Sequence, residues 1–250
     1  MTQRIMTVDV EPDLRSTTSL GLETLPKLLD YFTYHRIRAT FFTVGSLLEK
    51  HETLIKEIAK KQEVASHSYS HRYLTDANSR WEMKKSKEIF DEFKIPCIGF
   101  RAPAFITAPR HFQYLREYGY KYDASLAKFY PGRYSNLLLR SRPFKKHNIQ
   151  EFPMPTFVAP GINAGLPYLK LFHPWSKFFP KPYMFYLHPW EFIERQDLPK
   201  PNSLSARLLL RNSGKTAWSI FDEYINRCGG RWISCRDWLE KQNEKTTRDY

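Results

Sequence analysis

His67 and His71 bracket the string His67-Ser68-Tyr69-Ser70-His71. At that spacing two neutral imidazoles on one helical turn can chelate a single divalent metal, with a carboxylate as third ligand. Such a set leaves coordination positions open for water and substrate, as a hydrolytic site requires. Carboxylates stand near the N-terminus, where Asp9 and Glu11 flank Val10. Residues two apart on a strand share a face, so both would be aimed into one site. Further along, Gly99-Phe100-Arg101-Ala102-Pro103-Ala104-Phe105 reads as a strand ending in Arg-x-Pro. Its proline stiffens the turn and fixes a guanidinium beside whatever carboxylate faces it. Asp123 opens a strand after a helix stop at Gly119-Tyr120, and His188 ends the hydrophobic run Phe185-Tyr186-Leu187. Taken singly, each has an ordinary structural explanation as a cap, a loop acid or a satisfied core histidine.

What such groups share is their place at the C-terminal ends of strands, where parallel α/β architectures collect their chemistry. Residues 4–10 read as a buried strand, and Leu22, Leu25, Leu28, Leu29 and Phe32 recur at helical spacing behind it. Strands are predicted at 39–44, 64–66, 97–100, 122–125, 184–188 and 231–234. Helices are predicted at 52–61, 80–93, 110–118 and 217–227, followed by a final helix. This alternation predicts a parallel sheet wrapped by helices. The rhythm breaks in a Pro-, Arg- and Lys-rich stretch at about 131–182 and again at 196–205. The expectation is one domain, with a core at about 3–245 and one large irregular insertion.

Of the 250 residues, 39 are Lys or Arg and 26 Asp or Glu, a net charge of +13 that suits an anionic partner. Helix-turn-helix, RNP-like and zinc-finger patterns are missing, which argues against nucleic acid. No apolar run approaches the roughly 18 residues of a membrane-spanning helix. The apolar run at the N-terminus ends at Asp9 with no small-residue cleavage site, so no secretory leader is expected. Cys97, Cys228 and Cys235 match no zinc-ligand spacing and read as core or free thiols of a cytoplasmic protein. The insertion carries Arg140, Arg142, Lys145 and Lys146, then Leu166, Tyr168, Leu169, Leu171, Phe172, Trp175, Phe178 and Phe179 among Lys170, Lys177 and Lys181. That mixture suits a peripheral contact with an anionic membrane at its inner face, or else a folded lid over the barrel.

The five polar signals, in this order from Ile5 to Phe192, resemble the polysaccharide deacetylase family, the NodB-homology enzymes of carbohydrate esterase family 4. The strings Val64 to His71, Gly99 to Phe105 and Phe185 to Phe192 look like the branch associated with exopolysaccharide production. The resemblance implies a distorted (β/α) barrel and a hydrolase that removes N-acetyl groups from a surface polysaccharide, glycan or lipid-linked saccharide, releasing acetate. It implies a divalent metal, zinc foremost, on His67, His71 and Glu11. It implies Asp9 as general base oriented by Arg101, and the Ala104 N–H as oxyanion donor. His188 would be the acid with Asp123 as its charge partner, and Leu187, Trp190 and Phe105 would wall the substrate pocket. Two departures stand out. Val10 separates acids that are usually adjacent, and Ala104 replaces the usual aromatic after Arg-x-Pro. An allantoinase-like or imidase-like amide hydrolase on the same scaffold, and a catalytically silent carbohydrate- or membrane-binding module, remain as alternatives.

Overall fold

A computed structural model describes residues 2–128, 139–201 and 203–248. Its strands are β1 (Gln3–Val10), β2 (Ala39–Thr43), β3 (Glu63–Ser66), β4 (Gly99–Phe100), β5 (Tyr122–Asp123), β6 (Phe144–Lys146), β7 (Ile149–Glu151), β8 (Met184–Leu187) and β9 (Arg231–Ile233). They form one sheet in the order β6-β7-β5-β4-β3-β2-β1-β8, with β9 beside the start of β1. Every pairing is parallel except β6 with β7.

The central strand explains the rest. β1 is buried along nearly its whole length, as expected of a parallel strand covered on both faces. Met6, Val8 and Val10 pack into the larger apolar cluster, with Leu25, Leu28 and Phe32 of helix Leu25–Tyr34 and Phe221 of helix Lys215–Cys228. Ile5 turns to the opposite face and joins Phe42, Phe105, Tyr122, Phe152 and Tyr186. Thr7 and Asp9 share that inner face by the two-residue period. The sheet curls around it. Isolated bridges Ala127 to Met154, Thr156 to Asn163 and Gly165 to Tyr186 carry the chain across towards β8 where regular ladders stop. The mixed α/β fold with a curled, half-barrel sheet agrees with the distorted barrel expected from the sequence.

The stretch expected as irregular at 131–182 needs correction over its described part. It supplies β6 and β7, helix Leu166–Leu171, and the core side chains Phe152, Met154, Phe157, Leu166 and Leu169. Its strands are only three residues long and its helix six, with Pro167 in second place, too short for hydrophobic periodicity to register. Residues 131–138 lie outside the described residues. The same burial alters the expectation of an interfacial segment. Leu166, Leu169 and Phe179 are buried and Lys170 is fully so, leaving Trp175 and Phe178, each 72% exposed, around Lys177. Among the described residues no helix is long and apolar enough to cross a membrane. All three cysteines are buried and free.

Candidate active site

The strand ends converge on a cavity of about 450 Å³ lined by Asp9, Glu11, His71, Ala104, Phe105, Tyr186, His188 and Trp190 among others. Asp9 and Glu11 reach it from the end of β1, as their shared face predicts. Arg101 follows β4 and is fully buried. One of its terminal nitrogens lies 2.6 Å from Asp9 Oδ1 and 3.0 Å from Thr7 Oγ1, and its Nε donates to the Ala124 carbonyl at 3.2 Å. The guanidinium also sits 4.1 Å from the centre of the Phe42 ring, a flat cation over a π face. Arg101 and Asp9 thus form a buried ion pair at the cavity.

His67, His71 and Glu11 form the metal-competent cluster among the described residues, with one ligand atom of each within 4.8 Å of the others. The helical turn expected for the two histidines is not what holds them. Residues 67–71 form a bent loop after β3, with left-handed backbone at Ser68 (φ 63°) and His71 (φ 62°). A clamp fixes this shape. Buried Glu82, on helix Ser79–Glu92, accepts the N–H groups of Tyr69 and Ser70 at 3.0 and 2.8 Å and the Ser70 hydroxyl. Glu82 was not singled out by sequence, where it reads as one more acid on a helix.

The donor chemistry fits a cation. His67 Nδ1 is 2.8 Å from the Arg101 carbonyl, which can only accept, so the proton is on Nδ1. The Nε2 lone pair of the neutral ring then faces Glu11 Oε2 at 3.3 Å, and His71 Nε2 lies 2.7 Å from the same oxygen. An imidazole lone pair opposed to a carboxylate is repulsive unless a positive charge lies between them, supplied by a metal or by protonation. Without a metal, burial pushes the Glu11 carboxyl up, but His71 and His188 outweigh it and bring it well below its ordinary value. Burial likewise pushes His71 down, and Glu11 outweighs it and raises the imidazole.

His188 follows β8 and stacks on Trp190, centroids 4.7 Å apart and planes 20° off parallel. Its Nε2 lies 4.0 Å from Asp9 and 3.6 Å from Glu11, and the Trp190 indole N–H donates to Glu11 Oε1 at 3.2 Å. The expected partnership with Asp123 does not occur. The acid beside His188 Nδ1 is Glu191, at 3.7 Å, which also accepts the His188 backbone N–H at 3.1 Å. Burial lowers the His188 imidazole, but Glu11, Glu191 and Asp9 together raise it above its usual value. Glu191 is in turn paired at 3.4 Å with Lys170, a buried ammonium bonded to Ser213 and the Leu209 carbonyl. Neither Glu191 nor Lys170 was singled out by sequence, although Glu191 stands three residues after His188, at capping-box spacing.

Asp123 is occupied elsewhere. It bonds His111 Nε2 at 2.9 Å and accepts the Ser125 hydroxyl, whose oxygen receives the Ala102 N–H at 2.8 Å. Its carboxyl is held below the ordinary range because His111 and these bonds outweigh burial. Asp123 thus supports the turn that carries Arg101. Asp123→Asn is expected to cost about 1–3 kcal/mol of stability, read from denaturation midpoints, and to leave the basic limb of any pH–rate profile in place. A basic limb moved to lower pH would restore the pairing with His188.

Leu187 also needs reassignment. It lies beside His188 but one residue out of phase, and is buried in the outer cluster with Phe185. Tyr186, whose ring packs edge-on to both His188 and Phe105, lines the cavity instead. Ala104 and Phe105 line it with consecutive left-handed backbone, φ 53° and 59°, conformations that cost about 1–3 kcal/mol each and gather at functional sites.

A family model for polysaccharide deacetylase matches residues 5–122. Over 108 residues, 42% of this chain and 34% of the relative, the chain is 35% identical to a peptidoglycan-N-acetylglucosamine deacetylase of Bacillus cereus. Over 87 residues, 34% of this chain and 36% of the relative, it is 34% identical to a chitooligosaccharide deacetylase of Bradyrhizobium sp.. The chain spans about a third of the length of these two relatives. Among solved structures, one from Mycobacterium smegmatis assigned as a polysaccharide deacetylase has TM-score 0.62 at 17% identity, covering 98% of this chain and 91% of that one. A carbohydrate esterase family 4 pseudoenzyme from Bacillus anthracis has TM-score 0.55 at 14% identity, covering 94% and 65%. These two likenesses speak to the fold alone. The segment that matches the polysaccharide deacetylase model carries Asp9, Glu11, His67, His71 and Arg101.

Proposed function

We propose that this chain is a metal-dependent hydrolase that removes the acetyl group from an N-acetylated saccharide of a polysaccharide or glycan, releasing acetate. The observation that supports it most is the meeting of the Asp9–Arg101 pair, the Glu11–His67–His71 cluster and the His188–Trp190 stack at one cavity. Because the same fold occurs in a pseudoenzyme, the reading rests on these side chains and not on the fold. A divalent cation held by Glu11, His67 and His71, zinc in this reading, supplies polarisation of the acetamido carbonyl and acidification of a water. Asp9, fixed by Arg101, takes the proton of the attacking water, and the Ala104 N–H donates to the oxygen that gains charge. His188, steered by Glu191, protonates the departing amine. Trp190 walls the pocket and holds both His188 and Glu11 in place.

Acetate release from chitotetraose is the direct test, and a product other than acetate from a cyclic amide would favour the imidase-like alternative. His188→Ala is expected to lower turnover of chitotetraose by about 10²–10⁴, the usual worth of a positioned acid. The loss should be far smaller on 4-nitrophenyl acetate, whose leaving group departs without a proton. Equal losses on both would make His188 a structural residue.

The lipid-linked substrate and anionic membrane expected from the insertion receive less support. Lys170, central to that segment, is committed to Glu191 in the interior, so it cannot meet a lipid phosphate.

A further inference from the structure

Asn163 is 1% exposed, and neither its Oδ1 nor its Nδ2 has a hydrogen-bond partner among the described residues. A buried amide left in that state costs free energy at both atoms. It is not a loose side chain on a loose loop. Thr156 bridges Asn163, the Ala164 N–H bonds the Pro155 carbonyl at 2.8 Å, and the Tyr186 N–H bonds the Ala164 carbonyl at 3.1 Å. At Gly165 a Cβ would come within 2.1 Å of the Tyr186 ring, so the absence of a side chain there lets this segment lie directly on β8. The backbone around Asn163 is thereby fixed at the edge of the strand that delivers Tyr186 and His188, and Asn163 lines the same cavity as Asp9, His188 and Trp190.

We propose that Asn163 is a sugar-recognition residue, whose amide donates to and accepts from neighbouring hydroxyl or acetamido groups of the saccharide bound in this cavity. The inference rests on the deacetylase reading and deepens it. A neutral amide offers one acceptor and two donors in a plane, which matches the mixed donors and acceptors of adjacent sugar substituents and does not select for charge. A site that leaves polar groups unpaired until substrate arrives discriminates strongly against ligands that lack the matching group.

The test uses the full chain, chitotetraose as probe, and two variants. Asn163→Leu is close in shape and removes both polar atoms, whereas Asn163→Asp keeps acceptors and loses the donors. Asn163→Leu is expected to melt at the wild-type temperature or higher, because orphaned polar atoms leave the interior. It is also expected to raise the KM and the calorimetric Kd for chitotetraose at least about tenfold, the equivalent of 1.4 kcal/mol, with a smaller change on 4-nitrophenyl acetate. Asn163→Asp should weaken binding as well. A lower melting temperature with unchanged chitotetraose Kd would make Asn163 structural and overturn the inference, while acetate release by the wild type would leave the deacetylase reading standing. A wild-type protein that neither binds nor deacetylates chitotetraose overturns both.

Discussion

Alanine at His67 or His71 is expected to abolish metal binding and saccharide turnover together, whereas Asp9→Asn should abolish turnover with the metal retained. The difference follows from what each group does. His67 and His71 each bring a ring nitrogen to Glu11, so removing either leaves two ligands where three converged. Asp9 faces Arg101 on one oxygen and stands 4.0 Å from His188 on the other, the position of a proton acceptor. Asparagine keeps an oxygen for Arg101 but has no basicity, so the loss should be about 10²–10⁴ in rate. Metal content after dialysis, measured by atomic absorption on folded protein, and acetate release decide the matter. Near wild-type turnover in Asp9→Asn would assign the base elsewhere. Glu11→Ala should weaken the metal, and unchanged content would move the third ligand to Asp9 or to solvent.

How far the site was legible depended on whether a residue's partner lay within reach of a local pattern. Asp9 and Glu11 could be assigned to one face because the two-residue strand period is local, and the same parity shows why Leu187, adjacent to His188, belongs to the opposite face. The residues of the His67–His71 loop were legible but its shape was not, since helical spacing is mimicked by a bend that Glu82 enforces from another element. Charge partners were the weakest point. Asp123 and His188 have suitable types, yet the sheet order puts β5 and β8 on opposite sides of β1, and His111 and Glu191 are the neighbours that each one meets. Lys170 had the strongest local disguise. A lysine within a run of leucines and aromatics reads as an interfacial cation, and only the packing of helix Leu166–Leu171 over Leu209 and Ser213 buries it against Glu191.

Arg101 should be the site's most costly residue to lose in stability. Its guanidinium is fully buried, bonded to Asp9, Thr7 and the Ala124 carbonyl, and stacked over Phe42. Arg101→Met would fill much of the volume but leave the buried Asp9 carboxylate without its cation, a change that costs about 3–5 kcal/mol. Lysine should recover only part of this, because a point charge cannot bond Asp9 and the Ala124 carbonyl together as the planar fork does. Adding Asp9→Asn to Arg101→Met removes the orphaned charge, so the double variant should be more stable than the sum of the two single losses implies. Urea midpoints at matched m-values give all four corners of that cycle. A loss below about 1 kcal/mol for Arg101→Met would mean that Asp9 is balanced by some other cation. Additivity across the cycle would separate the two residues energetically and remove the ground for treating Arg101 as the group that holds the base.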